Sequence, residues 1–106
     1  MAYIYHITFD VHANQMDELR IGGSLERVLG YLRTLLPEER GFITSRALYS
    51  VEENDLTHII FMSEWQTWED LQNHKNSNLI EDKILKEFEP HVNLENLTAQ
   101  IYGEVD

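Results

Sequence analysis

Hydrophobic and polar positions alternate cleanly at the start of the chain. In residues 3–11, YIYHITFDV, Tyr3, Tyr5, Ile7, Phe9 and Val11 fall on one side, and Ile4, His6, Thr8 and Asp10 on the other. A period of two with one strongly apolar side predicts a strand. The period then lengthens. Met16, Leu19, Leu25, Val28, Leu29, Leu32 and Leu36 recur at helical spacing, with Asn14 as the expected N-cap and Asp17 three residues on. Gly22-Gly23 interrupts this run. Two glycines inside a helix cost roughly 2 kcal/mol relative to alanine, so a kink or short break is expected there. Pro37 should end the helix.

Gly41 opens a second predicted strand, 42–51, and Glu52-Glu53-Asn54-Asp55 reads as the turn of a hairpin into a third, 56–65. Thr67 with Asp70 has capping-box spacing and starts a short helix over 67–75. Ser77 can cap another, carrying Leu79, Ile80, Ile84, Leu85 and Phe88 up to Pro90. A last strand alternates over about 96–105. The order β-α-β-β-α-α-β, two strand–helix–strand units around a hairpin, gives an α+β, ferredoxin-like domain over residues 1–106. Its antiparallel sheet has order 4-1-3-2 and helices on one side.

Helices on one side leave the other face of the sheet to be accounted for. The third strand is apolar at four consecutive positions, Ile59, Ile60, Phe61 and Met62. Leu48 shares a side with Ile60 and Met62, and Tyr49 shares one with Phe61. An uninterrupted apolar run argues for burial on both faces, and exposed apolar patches beyond a few hundred Å² are rare on monomers. A second copy packed sheet against sheet is the simplest cover, which predicts a homodimer. Termini folded over the sheet are the alternative.

Composition narrows the chemistry. The chain has 106 residues, the length of one domain, with 19 acids against 8 Lys and Arg and a net charge of −11. Such a surface repels phosphate backbones and anionic bilayers, so neither nucleic acid nor membrane is an expected partner. No 18-residue apolar run and no basic-then-apolar leader occur in it. With no cysteine, thiolate metal sites, disulfides and thiol nucleophiles are excluded. A cytoplasmic location is expected. Gly22-Gly23-Ser24 is not a phosphate loop, since it interrupts a helix and lacks the G-x-G-x-x-G or G-K-[ST] pattern.

The segment Glu64–His74, EWQTWEDLQNH, resembles the E-W-x-S/T-x-x-x-L-x-x-H stretch of the antibiotic biosynthesis monooxygenase (ABM) family. Pro37 followed by Gly41-Phe42 is similar to that family's P-G-F at the start of strand two. The turn after His74, Asn76-Ser77-Asn78, lacks the proline many members carry. The resemblance covers 3–105 and implies a dimeric α/β barrel. It further implies oxygenation of a small electron-rich aromatic, such as a quinol or anthrone, without metal or flavin, in a pocket between sheet and helices. Some relatives degrade haem, with an Asn on strand one, a Trp on the short helix and a His on the next. The corresponding places here hold Ile7, His74 and Ile84, so no haem is expected.

His74 is the candidate catalytic base, because a neutral imidazole can take a phenolic proton. It can equally cap the end of its helix, where a partly positive ring suits the dipole. Tyr5, Phe61, Trp65 and Trp68 are the candidate pocket lining, with a core role for Trp65 and a surface role for Trp68 as the plainer assignments. Tyr49 and Tyr102 more often reach backbone or rim. His6 and His58, with Asp10, Arg46 and Glu64, make a weak metal candidate that would require convergence; mutual satisfaction of polar groups is the alternative. The leading expectation is a cofactor-independent monooxygenase. A non-catalytic dimer that binds a small ligand or serves assembly is the runner-up, and isomerase or stress-response chemistry comes third.

Overall fold

The structure, a computed structural model, describes residues 2–50, 55–90 and 94–105. Within them four strands form one sheet in the order β2-β3-β1-β4, all neighbours antiparallel. The strands are β1 (Tyr3–His12), β2 (Phe42–Tyr49), β3 (Leu56–Trp65) and β4 (Thr98–Gly103). This is the ferredoxin-like order expected from the sequence. The hairpin turn expected at 52–55 falls, except for Asp55, outside the described residues.

The alternation in β1 decides which face is buried. Tyr5, Ile7, Phe9 and Val11 point to the helices and are buried. They meet Ser63, Phe61, Ile59 and Thr57 directly across the β1–β3 ladder. Phe9, Phe61 and Phe88 form a ring cluster with centroids 5.3–5.9 Å apart, which ties the last helix to the middle of the sheet. A fully buried side chain of this size stabilises by about 1.5–3 kcal/mol. Ser63 is buried among them because its Oγ accepts the indole N–H of Trp65 at 2.9 Å.

One irregularity sets the faces of β2. Phe42 stands opposite Trp65, but Thr44 stands opposite Glu64, so a residue is inserted at Ile43. The shift lets Phe42 pack edge-on to Trp65 at 5.6 Å, while Ser45, Ala47 and Tyr49 take the helix side beyond it.

The helical run divides as the two glycines require, into α1 (Ala13–Ile21) and α2 (Ser24–Thr34). Gly23 sits at φ 79°, where a side chain would be strained. Arg27 bridges the break: its Nη1 donates to the Gly22 carbonyl and its Nε to Glu87 at 2.9 and 3.0 Å. The bonded Glu87 carboxylate pushes the Arg27 pKa up. The N-cap of α1 differs from expectation. It is His12, not Asn14, because Gln15 Oε1 reaches back to accept the His12 N–H at 2.9 Å. A short 3-10 turn, Leu36–Glu38, holds Pro37.

The second helical region starts as predicted. Thr67 Oγ1 accepts the Asp70 N–H at 3.0 Å and begins α3 (Trp68–Asn76). Ser77 Oγ accepts the Leu79 N–H. The expected continuous α-helix is instead a π-helical turn, Ile80–Leu85, running into α4 (Lys86–Phe88). Ile80, Ile84 and Phe88 all lie on the core side. β4 is shorter at both ends than expected, with a 3-10 turn, Leu94–Asn96, before it.

The open face carries Ile4, His6, Thr8, Asp10, His58, Ile60, Met62 and Glu64 on its two central strands. His6 and His58 are not cross-strand partners: His6 lies opposite Met62 and His58 opposite Asp10. His58 Nδ1 is 2.5 Å from Asp10 Oδ1, and the His6 ring packs on Tyr102. No three metal-ligating side chains converge among the described residues. No described helix is long and apolar enough to cross a membrane.

Candidate functional site

An apolar chamber of about 240 Å³ lies between the helices and the sheet. Met16, Leu25, Val28 and Leu29 form its helical wall, and Ile59 and Phe61 its floor. Ala47, Leu48 and Tyr49 of the edge strand close the side, and Arg20 is the charged residue lining it. Met16 of α1 and Val28 of α2, on either side of the Gly22-Gly23 break, line the same space. A cavity of about 150 Å³ holds benzene, so this one admits a compact fused-ring compound. A second, more polar cavity of about 340 Å³ shares Leu29, Ala47 and Leu48 with it and is bordered by Arg33, Ser45 and Arg46.

The other aromatic site lies at the opposite end of β3. His74 is buried at 2% exposure, with its ring stacked on Trp65 at 4.4 Å and 22°. Tyr5 approaches it edge-on at 6.0 Å. Nδ1 lies 2.7 Å from Glu39 Oε2. A proton on Nδ1 would be donated to this carboxylate, which would leave Nε2 as the ring's acceptor. Ser77 Oγ is shared in this corner: it donates to the His74 carbonyl at 2.6 Å and lies 3.3 Å from Glu39 Oε1. A crevice of about 10 Å³, too small for an organic ligand, lies in front of Tyr5, Phe61 and Ser63.

The loop carrying Glu39 is held in place. Gly41 has φ 79°, and a Cβ on it would overlap the Asp70 side chain. Asp70 is itself nearly buried on α3. The Gly41 carbonyl accepts the Gln66 N–H at 2.9 Å. Glycine at this position lets the 39–42 segment close on α3, which places Glu39 beside His74.

The five candidate residues therefore occupy three places. Tyr5, Trp65 and His74 form one buried stack. Phe61 lies between that stack's crevice and the chamber, lining both. Trp68 is half exposed on α3, edge-on to Tyr3 at 5.8 Å, and lines neither. Sequence reasoning missed Arg20, Leu25 and Leu29 as cavity residues, since core and cavity leucines have the same helical spacing. It also missed Glu39, which stands 35 positions from His74 with no motif linking them.

No family model matches the chain, and no curated protein matches it. Solved structures do. A candidate antibiotic biosynthesis monooxygenase from Bacillus cereus superposes with a TM-score of 0.67 at 20% identity, over 95% of this chain and 90% of its own. A Streptomyces coelicolor monooxygenase in complex with the ligand nanaomycin D gives 0.65 at 14%, over 99% and 88%. A cofactor-independent oxygenase from Streptomyces nogalater gives 0.59 at 12%, over 99% and 94%. The chain has the fold of these structures.

Proposed function

We propose that this chain is a cofactor-independent monooxygenase of the ABM type, acting on a small quinol- or anthrone-like aromatic held in the 240 Å³ chamber. The observation that carries this reading is the chamber itself. It is apolar, lies between helices and sheet, and belongs to a fold shared with a monooxygenase that holds an organic ligand. The lining suits a flat, apolar ring system, and the volume, below the usual range for ligand pockets, a compact one.

The chemistry needs little from the protein. Oxidation of an anthrone methylene to a carbonyl by O₂ releases one water, so the substrate supplies all the electrons and no external reductant enters. What remains is to bind the ring, exclude water and take a proton to form the reactive anion. His74, with Glu39 beside Nδ1, is the proposed base. Because its buried imidazole lies at the opposite end of β3 from the chamber, it would act only when the crevice of about 10 Å³ beside Tyr5 opens to admit the ring. Phe61 lines both the chamber and the crevice, and Tyr5 lines the crevice and approaches the imidazole edge-on. Trp65 supports the ring from behind.

The proposal includes a homodimer formed through the open sheet face, where Ile4, Ile60 and Met62 are only half-buried in the single chain. Leu48 and Tyr102 extend the apolar surface toward the two edges of the sheet.

A second reading is a dimeric ligand-binding protein without turnover. The burial of His74, whose side chain has 0% exposure, favours it. Oxygen uptake with a panel of quinols and anthrones separates the two. The enzyme reading expects uptake by the wild type and a loss of about 10²–10⁴-fold in His74→Ala, with circular dichroism unchanged. Thermal stabilisation by panel members without oxygen uptake would select the second reading. An equal rate in both proteins would remove His74 as the base.

A further inference from the structure

The apolar chamber is not uniform along its depth. Met16, Val28, Ile59 and Phe61 are buried, whereas Arg20, Leu48 and Tyr49 line the same space and are exposed. The first group forms its inner end and the second its mouth. Of the lining residues, Arg20 and Tyr49 are the two with a side-chain nitrogen or oxygen, and both belong to the mouth. Helix period and sheet register account for these positions. Arg20 follows Met16 by four residues on α1, so the two share one face of that helix. Tyr49 stands opposite the buried Ile59 across the β2–β3 ladder, so it takes the helix side of the sheet.

Arg20 has no carboxylate within ion-pair distance among the described residues, although Asp17 lies one turn back on its own helix and Glu26 on the next. Its charge is left to act on whatever enters the chamber. Two effects then compete on an aromatic hydroxyl bound there. Loss of water disfavours the anion, while an opposite charge within about 4–6 Å favours it by about 1–3 pH units. An oxygen at the mouth keeps part of its water, so the guanidinium dominates. An oxygen turned to the inner end would lose its hydrogen bonds to water among Val28, Ile59 and Phe61 with nothing in return. The acidic surface elsewhere is screened over about 8 Å at physiological salt, whereas Arg20 acts at contact distance.

We propose that the ligand of the chamber is a hydroxyaromatic held ring-inward, bound as its oxyanion against Arg20 at the mouth. This rests on the reading of the chamber as the ligand site and adds the ionising group, its orientation and the residue that recognises it. On binding, the O–H bond breaks, its electron pair stays on the oxygen, and the proton passes to water at the mouth. The electron-rich anion thus forms where the ring is held, with no base inside the chamber. A cation in the last turn of α1 also suits the helix dipole, but that role alone would leave the ligand's acidity unmoved.

4-Nitrophenol, whose anion absorbs visible light, is a suitable probe, with 4-nitroanisole as its non-ionising counterpart. Calorimetric titration gives the affinity of each, and absorbance across pH at saturating protein gives the titration midpoint of the bound phenol. The expected midpoint lies about one pH unit below that of the free phenol, equivalent to about 10-fold tighter binding of the anion than of the neutral form. Arg20→Met should return the midpoint to the free value or above it with the 4-nitroanisole affinity unchanged, and Arg20→Lys should keep part of the shift. Leu29→Trp or Ala47→Leu, whichever keeps the wild-type circular dichroism, should abolish binding of both probes. A wild-type midpoint at or above the free value, with both probes bound, would overturn the oxyanion assignment and leave the chamber reading standing. A lowered midpoint that survives in Arg20→Met would overturn the role of Arg20. Binding of neither probe, or binding that persists once the chamber is filled, would overturn the chamber reading together with the inference built on it.

Discussion

Gly41 shows how one residue without a side chain can hold a site together. The backbone there is left-handed, and a methyl group at this position would run into the carboxylate and methylene of Asp70. Gly41→Ala therefore combines backbone strain with a clash against a nearly buried carboxylate. It is expected to cost about 2 kcal/mol or more in urea denaturation. Arg27 offers a test in pH. Its pKa is raised by Glu87, so its contribution is fully present below the ordinary guanidinium value and is lost only as pH rises through the higher folded value. The Tm difference between wild type and Arg27→Gln should hold constant from neutral into moderately alkaline solution. A difference that shrank within that range would contradict the assignment of the pair.

The elements test the helix break and show what could be read from the chain. Gly30 lies within α2, and a Cβ there meets nothing within 4 Å. Gly30→Ala should stabilise by roughly 0.5–1 kcal/mol. Gly23→Ala, at φ 79°, should destabilise, and equal behaviour of the two variants in thermal melts would contradict the assigned break. The strand faces, the break at Gly22-Gly23 and the Thr67 cap were all readable, because each depends on neighbours within a few positions. The register shift at Ile43 was not, since it is fixed by packing of Phe42 on Trp65 across the sheet. The π-helical turn was not, because the spacing of Ile80, Ile84 and Phe88 also suits an α-helix. Within the site, the His74–Trp65 stack follows from a local motif. Glu39 and the residues of the chamber come from elements that only tertiary packing brings together.

At the scale of the whole molecule, the open sheet face is the feature with the largest expected effect. Ile60 and Met62 lie at its centre on β3, flanked by polar neighbours such as Thr8 and Glu64. Ile60→Glu places a charge where the proposed partner copy would pack, and should convert a dimer into a monomer in sedimentation velocity at micromolar concentration. A wild type that sediments as a monomer would remove the dimer from the proposal.

The two tryptophans give the molecule two optical reporters of different range. Trp65 is wholly excluded from water and stacked on an imidazole, while Trp68 is 50% exposed. Native emission should thus be the sum of a blue-shifted component and a red-shifted one. A neutral soluble quencher should silence the second alone, leaving the protected fraction as a running measure of how often the core at the Glu39–His74 corner opens.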